Sequence, residues 1–384
     1  MADRSAIDSP SITWDFATPG QFKAHAVSWP QSALTMFVSP SGDDANNGFS
    51  PISAKLTVAD AYADLKTYAE ANLSSVGGVL GVGTIQLLPG RHDVGTGFAI
   101  TYRRPVLIRG TRSGNASANQ IAHSASIIYS SSGASPTSLV TYGSGVTGAA
   151  YGLEFENVVF ELLASHTAAV RLDSVNHFHA RDCAAYCVSG SSQNSYFVDY
   201  TNVTAADGSW GHIIGNQVAH MGLIKGVADT QNYWRIRRNI NYFGTEVAAG
   251  IHITCSSGAL VIAFDISENH FEAGDTAVGD AIYIRGANQC SFFNNTGELG
   301  NAARSFYDLG GIKNVIMGGW CSKSGTAVDN APFLTTTEFA DYNTFILPGV
   351  RAAADTTTTN QHDRFVDGGA VNNTFIGGGW STIL

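Results

Sequence analysis

Asparagine-led hydrophobic runs recur about every thirty residues, and this repeat restricts the fold more than any other feature of the sequence. The clearest copies are NVIMGGW (314–320), NTFILPG (343–349) and NNTFIGGGW (372–380). Alternating runs such as AVRL (169–172) and GIHIT (250–254) recur at similar intervals. Periods of roughly 20 to 50 residues are typical of solenoids and propellers.

A solenoid explains the repeat better than a propeller does. The sequence lacks the recurrent Trp-Asp or glycine signature of propeller blades. A coil of a β-helix needs only short strands, turns and apolar side chains facing inward at every second position. Asparagine favours a left-handed turn, and its amide can pair with the equivalent residue one coil away. Further copies of the asparagine occur in ENVVF (156–160), RNINYF (238–243), ENHF (268–271) and NNTGE (294–298).

We therefore predict an all-β fold, a single-stranded right-handed parallel β-helix with one short N-terminal capping helix. The helix is KLTVADAYADLKTYAEANL (55–73), capped by Thr57. Its apolar face comprises Val58, Ala61, Tyr62, Leu65 and Ala69. Residues 1–35 form an N-terminal arm for attachment, residues 36–82 the first coil with its helix, and residues 83–384 roughly ten or eleven coils.

The segment FVSPSGDDANNGFSPISAKLTVADAYADL followed by GTIQLLPGRHDV resembles the first coil of pectate-lyase-like right-handed parallel β-helix domains. In that family a strand, a loop rich in Gly, Asn and Asp, and a short helix precede the coils. The resemblance covers about 60 residues and implies the fold more than the chemistry. The superfamily includes polysaccharide lyases, glycoside hydrolases, epimerases and bacteriophage tailspikes.

Composition excludes several classes of function. The net charge is −10 and only 14% of residues are charged, so nucleic acid is not an expected partner. No apolar stretch is long enough for membrane insertion, and no secretory signal is visible at the N-terminus. The five cysteines form no CxxC pair and are expected to be free and buried. Phosphate-loop and nucleophile-elbow motifs are absent, so we predict no cofactor.

Candidate site residues follow from the alternation of inward and outward side chains. Aligning Val170 with Tyr196 places Asp173 beside Asp199 on neighbouring coils, about 5 Å apart, a spacing that suits a retaining glycosidase. We predict Asp173, Asp199 and His252 as catalytic residues. The predicted substrate-binding residues are Arg171, Phe197, Tyr283 and Arg285.

Two further clusters are weaker candidates. Glu268, His270 and Glu272 would share one face of a strand and could serve acid–base chemistry, although solvated turn residues are the alternative. His177 and His179 have the spacing of two zinc ligands, but no third ligand lies nearby in sequence, so we predict no metal site.

The favoured function is that of a bacteriophage tailspike-like homotrimer that binds and degrades a host surface polysaccharide, located in the virion tail after cytoplasmic assembly. Its partners would be a polysaccharide or oligosaccharide, further copies of the chain and other tail proteins. A partner, another protomer or a locally folded tail would also cover the last coil. The alternatives are a non-catalytic virion structural or adhesion protein, and a free polysaccharide lyase or epimerase found outside the cell.

Overall fold

The structure is a computed structural model. It describes residues 12–18, 21–26, 34–73, 83–101, 105–111, 125–131, 137–143, 152–163, 165–173, 177–188, 194–200, 210–228, 233–243, 247–255, 261–273, 279–299, 305–323, 334–336, 343–346, 349–352, 364–367, 374–376 and 381–383.

Three long parallel sheets run along the molecule, because each coil adds one strand to each sheet. Sheet A consists, in spatial order, of β3 (Thr35–Val38), β4 (Gly83–Leu87), β7 (Val106–Arg109), β10 (Leu153–Glu156), β13 (His177–Arg181), β16 (Trp210–Ile214), β19 (Tyr233–Arg237), β23 (Asp265–Ser267), β26 (Ser291–Phe293), β29 (Val315–Met317), β32 (Thr344–Ile346) and β35 (Thr374–Ile376). Sheet B consists of β5 (Gly90–Asp93), β8 (Ser126–Tyr129), β11 (Val158–Leu162), β14 (Ala184–Cys187), β17 (Gln217–Ala219), β20 (Ile240–Phe243), β24 (His270–Ala273), β27 (Thr296–Leu299), β30 (Trp320–Lys323) and β33 (Gly349–Ala352). Sheet C consists of β6 (Phe98–Ile100), β9 (Ser138–Tyr142), β12 (Ala168–Leu172), β15 (Tyr196–Tyr200), β18 (Gly222–Ala228), β21 (Ala249–Cys255), β25 (Asp280–Asn288), β28 (Tyr307–Ile312), β31 (Leu334–Thr336), β34 (Arg364–Asp367) and β36 (Ser381–Ile383), with β22 (Val261–Ile262) also paired to β25. The predicted parallel β-helix is confirmed.

The N-terminal helix is also confirmed. Helix α1 spans Val58–Leu73 and starts three residues later than predicted, because Thr57 is its cap and accepts a hydrogen bond from the Asp60 N–H at 3.2 Å. All five residues of its predicted apolar face are buried. The helix packs against β3 and β4, the first two strands of sheet A, and against β6, the first strand of sheet C. Within the predicted arm, β1 (Ile12–Thr18) and β2 (Gln21–Ala26) form an antiparallel pair.

The core lies between the three sheets and continues from coil to coil as one cluster of buried apolar side chains. Its largest member, Trp234, stacks on Tyr200 with ring centroids 5.0 Å apart. Glycine makes room for these rings: a Cβ atom at Gly211 would approach the Trp234 ring to 2.1 Å, and one at Gly226 would approach Tyr200 to 1.9 Å. Small residues in the coils thus allow large aromatic residues to fill the interior.

A ladder of buried asparagines occupies the turn between sheets A and B. The side chains of Asn216, Asn239, Asn269 and Asn295 form a continuous chain, in which each Nδ2 donates to the Oδ1 of the next at 2.9–3.0 Å. Each of these amides also donates to a backbone carbonyl of an adjacent coil, as Asn269 does to Ile236 at 2.8 Å. The ladder therefore satisfies buried polar groups that the turn removes from the sheets.

The asparagine repeat contains two turns, not one as the sequence interpretation assumed. Asn314 and Asn343 lie between sheets C and A, where the Asn343 Oδ1 accepts a hydrogen bond from the Asn314 backbone N–H at 2.9 Å. The left-handed residue usually precedes the ladder asparagine, as Arg238 and Glu268 do. Among the described asparagines, two have positive φ themselves, Asn157 and Asn294. The copy at Asn373 lies outside the described residues.

Four of the five cysteines have described side chains, and as predicted they are buried and outside any disulfide: Cys183, Cys187, Cys290 and Cys321. Within the described ranges, no helix combines the length and the apolar character that crossing a membrane would require.

Candidate functional site

Apart from Phe197, the residues predicted as a site lie on the outer side of sheet C, but the register differs from the sequence alignment. Val170 pairs with Val198, and Arg171 pairs with Asp199. The alignment on Tyr196 was two residues out, because Tyr196 pairs with Ala168 at the start of the strands. The prediction that Asp173 and Asp199 are direct neighbours on adjacent coils is therefore wrong.

Phe197 does not lie on the outer face. It is fully buried and packs against Phe160 of sheet B, with ring centroids 5.6 Å apart. The simple alternation fails here because Tyr196, Phe197 and Val198 are all buried at the start of β15. The predicted outward orientation of Phe197 is wrong, and a surface sugar cannot contact a side chain that is enclosed in the core.

Several of the other predicted residues of sheet C form ion pairs or ring contacts with each other or with Asp308. Arg171 Nε bonds Asp173 at 2.8 Å. Arg285 forms two hydrogen bonds with Asp308, at 2.8 and 3.0 Å, and its guanidinium lies 4.2 Å from the centre of the Tyr283 ring.

His252 meets the same ring edge-on at 4.8 Å. Its pKa is lowered by burial and then by the charges of Lys225 and Arg285. Arg285 covers one face of Tyr283, so His252, Tyr283 and Arg285 form a network of surface contacts. The catalytic and binding roles of these residues stay predictions.

The cluster of Glu268, His270 and Glu272 is divided by the structure. Glu268 has φ 58° in the turn before β24, and its carboxylate bonds Arg238 at 2.6 Å. It does not share a strand face with the other two, because the strand begins only at His270. His270 and Glu272 do lie together on the outer face of sheet B, where His270 Nε2 is 2.9 Å from Glu272 Oε1.

A second carboxylate joins them. Glu298 of β27 pairs in register with Glu272 of β24, which places the two side chains on adjacent coils about 4.8 Å apart. The other ring nitrogen of His270, Nδ1, is 2.9 Å from the Thr296 hydroxyl. With the Thr296 hydroxyl donating to Nδ1, the Nε2–H donates to Glu272, and this tautomer satisfies both contacts. His270 therefore holds the Glu272 carboxylate in place.

Aromatic side chains border the carboxylates on both sides along the sheet. Trp320 pairs with Thr296 on the next coil, is 37% exposed, and lies 6.3 Å from the His270 ring. Tyr242 pairs with Glu272 on the preceding coil, and burial followed by the Glu272 charge raises its pKa. We name the set of Tyr242, His270, Glu272, Glu298 and Trp320 the carboxylate-pair site.

Sequence reasoning missed Glu298 and Trp320, although a signal was present. Glu272 and Glu298 each lie three residues after a ladder asparagine, Asn269 and Asn295. Counting from the asparagines fixes the register of sheet B, whereas aligning Val170 with Tyr196 gives the wrong register in sheet C. The same count places Trp320 in register with Thr296, because Gly319 occupies in its coil the turn position that Asn295 holds in the preceding coil.

The outer face of sheet A carries a different cluster, built around stacked histidines. The rings of His179 and His212 are parallel within 7° and 4.5 Å apart. Burial and nearby positive charges lower the pKa of His179 well below its usual value and that of His212 to about 4. Across the described residues, no group of three or more His, Cys, Asp and Glu side chains has the arrangement needed to hold a metal ion.

His212 makes stability depend on pH in a definite direction. An unfolded imidazole titrates near 6.5, so between about pH 6.5 and 4 the unfolded state binds more protons and stability falls as pH falls. We expect His212→Asn to reduce the loss of unfolding free energy between about pH 7 and 4 by about 1–3 kcal/mol. Urea titrations of both proteins across this range measure the difference. Parallel stability curves would show that the folded protein does not depress the titration of His212.

Comparisons with known proteins show where this fold occurs. No protein-family model matches the chain, and a search of curated proteins gives no match. The structure is similar to that of DFA-IIIase from Arthrobacter chlorophenolicus A6. For the structure of that enzyme without its lid, in complex with GF2, the TM-score is 0.52 and the sequence identity 12%, over 90% of this chain and 94% of that one. A cysteine-to-alanine variant of that enzyme in complex with DFA-III gives a TM-score of 0.54 with 12% identity, over 88% and 94% of the two chains. At this identity the similarity shows a shared right-handed parallel β-helix fold.

Proposed function

We propose that this protein binds a polysaccharide or oligosaccharide along the outer face of sheet B and hydrolyses it at the carboxylate-pair site. The observation that carries the proposal is the register pairing of Glu272 with Glu298. Two carboxyl groups about 5 Å apart are the arrangement of retaining glycoside hydrolases, whereas inverting enzymes need about 6.5–9.5 Å.

The two carboxyl groups have different surroundings, which assigns their roles. Glu272 accepts a hydrogen bond from His270, which holds its carboxylate in a fixed position on the sheet face and suits it to act as the nucleophile. Glu298 is the more exposed and acts as the acid that protonates the departing glycosidic oxygen. Glu272 then forms a bond to the anomeric carbon as the carbon–oxygen bond breaks. Water, deprotonated by Glu298, releases the sugar with its original anomeric configuration.

Two further observations support a carbohydrate ligand. Trp320 offers an exposed aromatic surface next to the carboxylates, and the apolar face of a sugar ring packs well on such a surface. The DFA-IIIase structures that share the fold contain GF2 and DFA-III, which are oligosaccharides. An open sheet face suits a long chain better than a small molecule enclosed in a pocket.

Replacing Trp320 tests the binding half of the proposal. We expect Trp320→Ala to weaken binding of the glycan by about two- to tenfold, because stacking on an aromatic ring contributes about 0.5–1.5 kcal/mol. Affinity electrophoresis through a panel of bacterial capsular and plant polysaccharides identifies the ligand and measures the loss. Met317→Ala is the matched control, since Met317 is 41% exposed on the neighbouring sheet. Equal binding by both variants would remove Trp320 from the site.

An assay for cleavage distinguishes the proposed enzyme from the alternative, a non-catalytic adhesin. The enzyme generates new reducing ends from the bound polysaccharide, whereas an adhesin retains the glycan and leaves it intact. Ultraviolet absorbance from unsaturated sugars would instead indicate a lyase, which the carboxylate pair does not favour.

The tailspike role belongs to the same proposal: a homotrimer on a bacteriophage tail, acting on a host surface polysaccharide. Its support is the segment that precedes the three sheets, where β1 and β2 form a separate antiparallel pair suited to attachment. Light scattering that gives the mass of a single chain at micromolar concentration would contradict the trimer, and a chain absent from purified virions would contradict the location.

A further inference from the structure

The outer face of sheet A holds an exposed arginine, Arg235, beside the stacked histidines. Arg235 of β19 pairs in register with His212 on one side and with Asp265 of β23 on the other. The Asp265 carboxylate, however, is bonded by Arg237 and by the Ser267 hydroxyl, which lies 3.0 Å away. Among the residues that the structure describes, no hydrogen bond or ion pair involves the exposed Arg235 guanidinium.

The neighbours of Arg235 increase the positive potential of this surface. His212 is faced by His177, His179 and Arg181 from β13, and by Tyr233, Arg235 and Arg237 from β19. The negative groups nearby are already paired, since Arg181 bonds Glu154 and Arg237 bonds Asp265. Arg235 therefore adds positive charge to this surface next to the imidazole of His212, which can donate a hydrogen bond.

We propose that Arg235 and His212 form a binding site for an oxyanion, a carboxylate, sulfate or phosphate group of a ligand. The planar guanidinium binds two oxygen atoms at once, and the His212 N–H donates to the same group from the adjacent coil. This site lies on a different sheet from the carboxylate pair and does not depend on its function.

Binding at this site is coupled to proton uptake. Burial and the charges of Arg235, His177, Arg237 and Arg181 hold the pKa of His212 at about 4. A bound anion offsets the charge of Arg235, so the pKa of His212 rises and the imidazolium adds a second charged donor. Affinity for the anion therefore increases as pH falls from neutrality towards the pKa of His212, and it does so through His212.

Nuclear magnetic resonance of labelled histidine side chains tests the site with simple anions. Sodium sulfate, sodium phosphate and sodium acetate are each titrated against sodium chloride at equal ionic strength, and the three arms distinguish the kinds of oxyanion. We expect at least one of them to shift the His179 and His212 signals in a saturable manner, and more strongly at about pH 5 than at pH 7.5. Shifts that chloride reproduces would overturn the proposal.

Two variants locate the anion. Arg235→Gln should weaken binding by about tenfold or more, because a bidentate charge-assisted contact is lost. Arg238→Gln removes the same charge from an exposed arginine that Glu268 already pairs, and it should change affinity by about twofold at most. His212→Asn should abolish the pH dependence while retaining weak binding. Equal losses in the two arginine variants would reduce the effect to general electrostatic attraction and contradict a defined site.

Discussion

Glu272→Gln and Glu298→Gln should each lower the rate of glycan cleavage by about 10²–10⁴-fold while leaving the glycan bound. Gln keeps the size of Glu and its hydrogen-bond acceptor, but it cannot attack the anomeric carbon or transfer a proton. The Glu272 variant should be blocked before the first bond breaks, and the Glu298 variant should recover on substrates whose leaving group needs no protonation. Release of reducing ends, with proton magnetic resonance of the first product anomer, measures both rate and stereochemistry.

Glu268→Gln provides the matched control for these variants. It removes a carboxylate from the same coil, but that carboxylate is exposed and bonds Arg238 outside the sheet face. Its cleavage rate should stay within about twofold of the unaltered protein. Full activity in either catalytic variant, or a product of inverted configuration, would contradict the assignment of the carboxylate-pair site.

The fold could be predicted because its main determinant is local and periodic. Each coil must bury apolar side chains at alternate positions and turn at fixed points, so asparagine and the apolar runs recur with the coil length. Thr57 and the apolar face of α1 are likewise local signals, since capping and helical periodicity involve residues within a few positions of one another.

The site was harder to predict because it depends on register between coils. The loops between strands differ in length, so Val170 pairs with a residue 28 positions later while Glu272 pairs with one 26 positions later. A register error of two residues leaves each side chain on the correct face of the sheet but assigns it the wrong neighbours on the adjacent coils. This error made Asp173 the expected neighbour of Asp199, whereas Arg171 is the residue that pairs with Asp199. The ion pair of Arg237 with Asp265 runs diagonally, since Asp265 pairs in register with Arg235, and it has no sequence signal.

The asparagine ladder that fixes this register should also dominate the stability of the middle coils. Asn269 accepts hydrogen bonds from the Asn239 backbone N–H and side chain and donates to Ile236 and Asn295. Asn269→Ala leaves a buried N–H and a buried carbonyl without partners. Each such group costs about 1–3 kcal/mol, so we expect a loss of about 3–5 kcal/mol in unfolding free energy. Urea denaturation followed by circular dichroism measures it.

A double-mutant cycle distinguishes a ladder from a set of independent contacts. Asn239→Ala and Asn269→Ala both remove the hydrogen bond from the Asn239 side chain to the Asn269 side chain, so the double variant should lose at least about 1 kcal/mol less than the two single losses together. Asn343 belongs to the other turn, and Asn343→Ala combined with Asn269→Ala should be additive within about 0.5 kcal/mol. Additive losses in both pairs would mean that the asparagines act singly, and the register of the carboxylate pair would then rest on core packing alone.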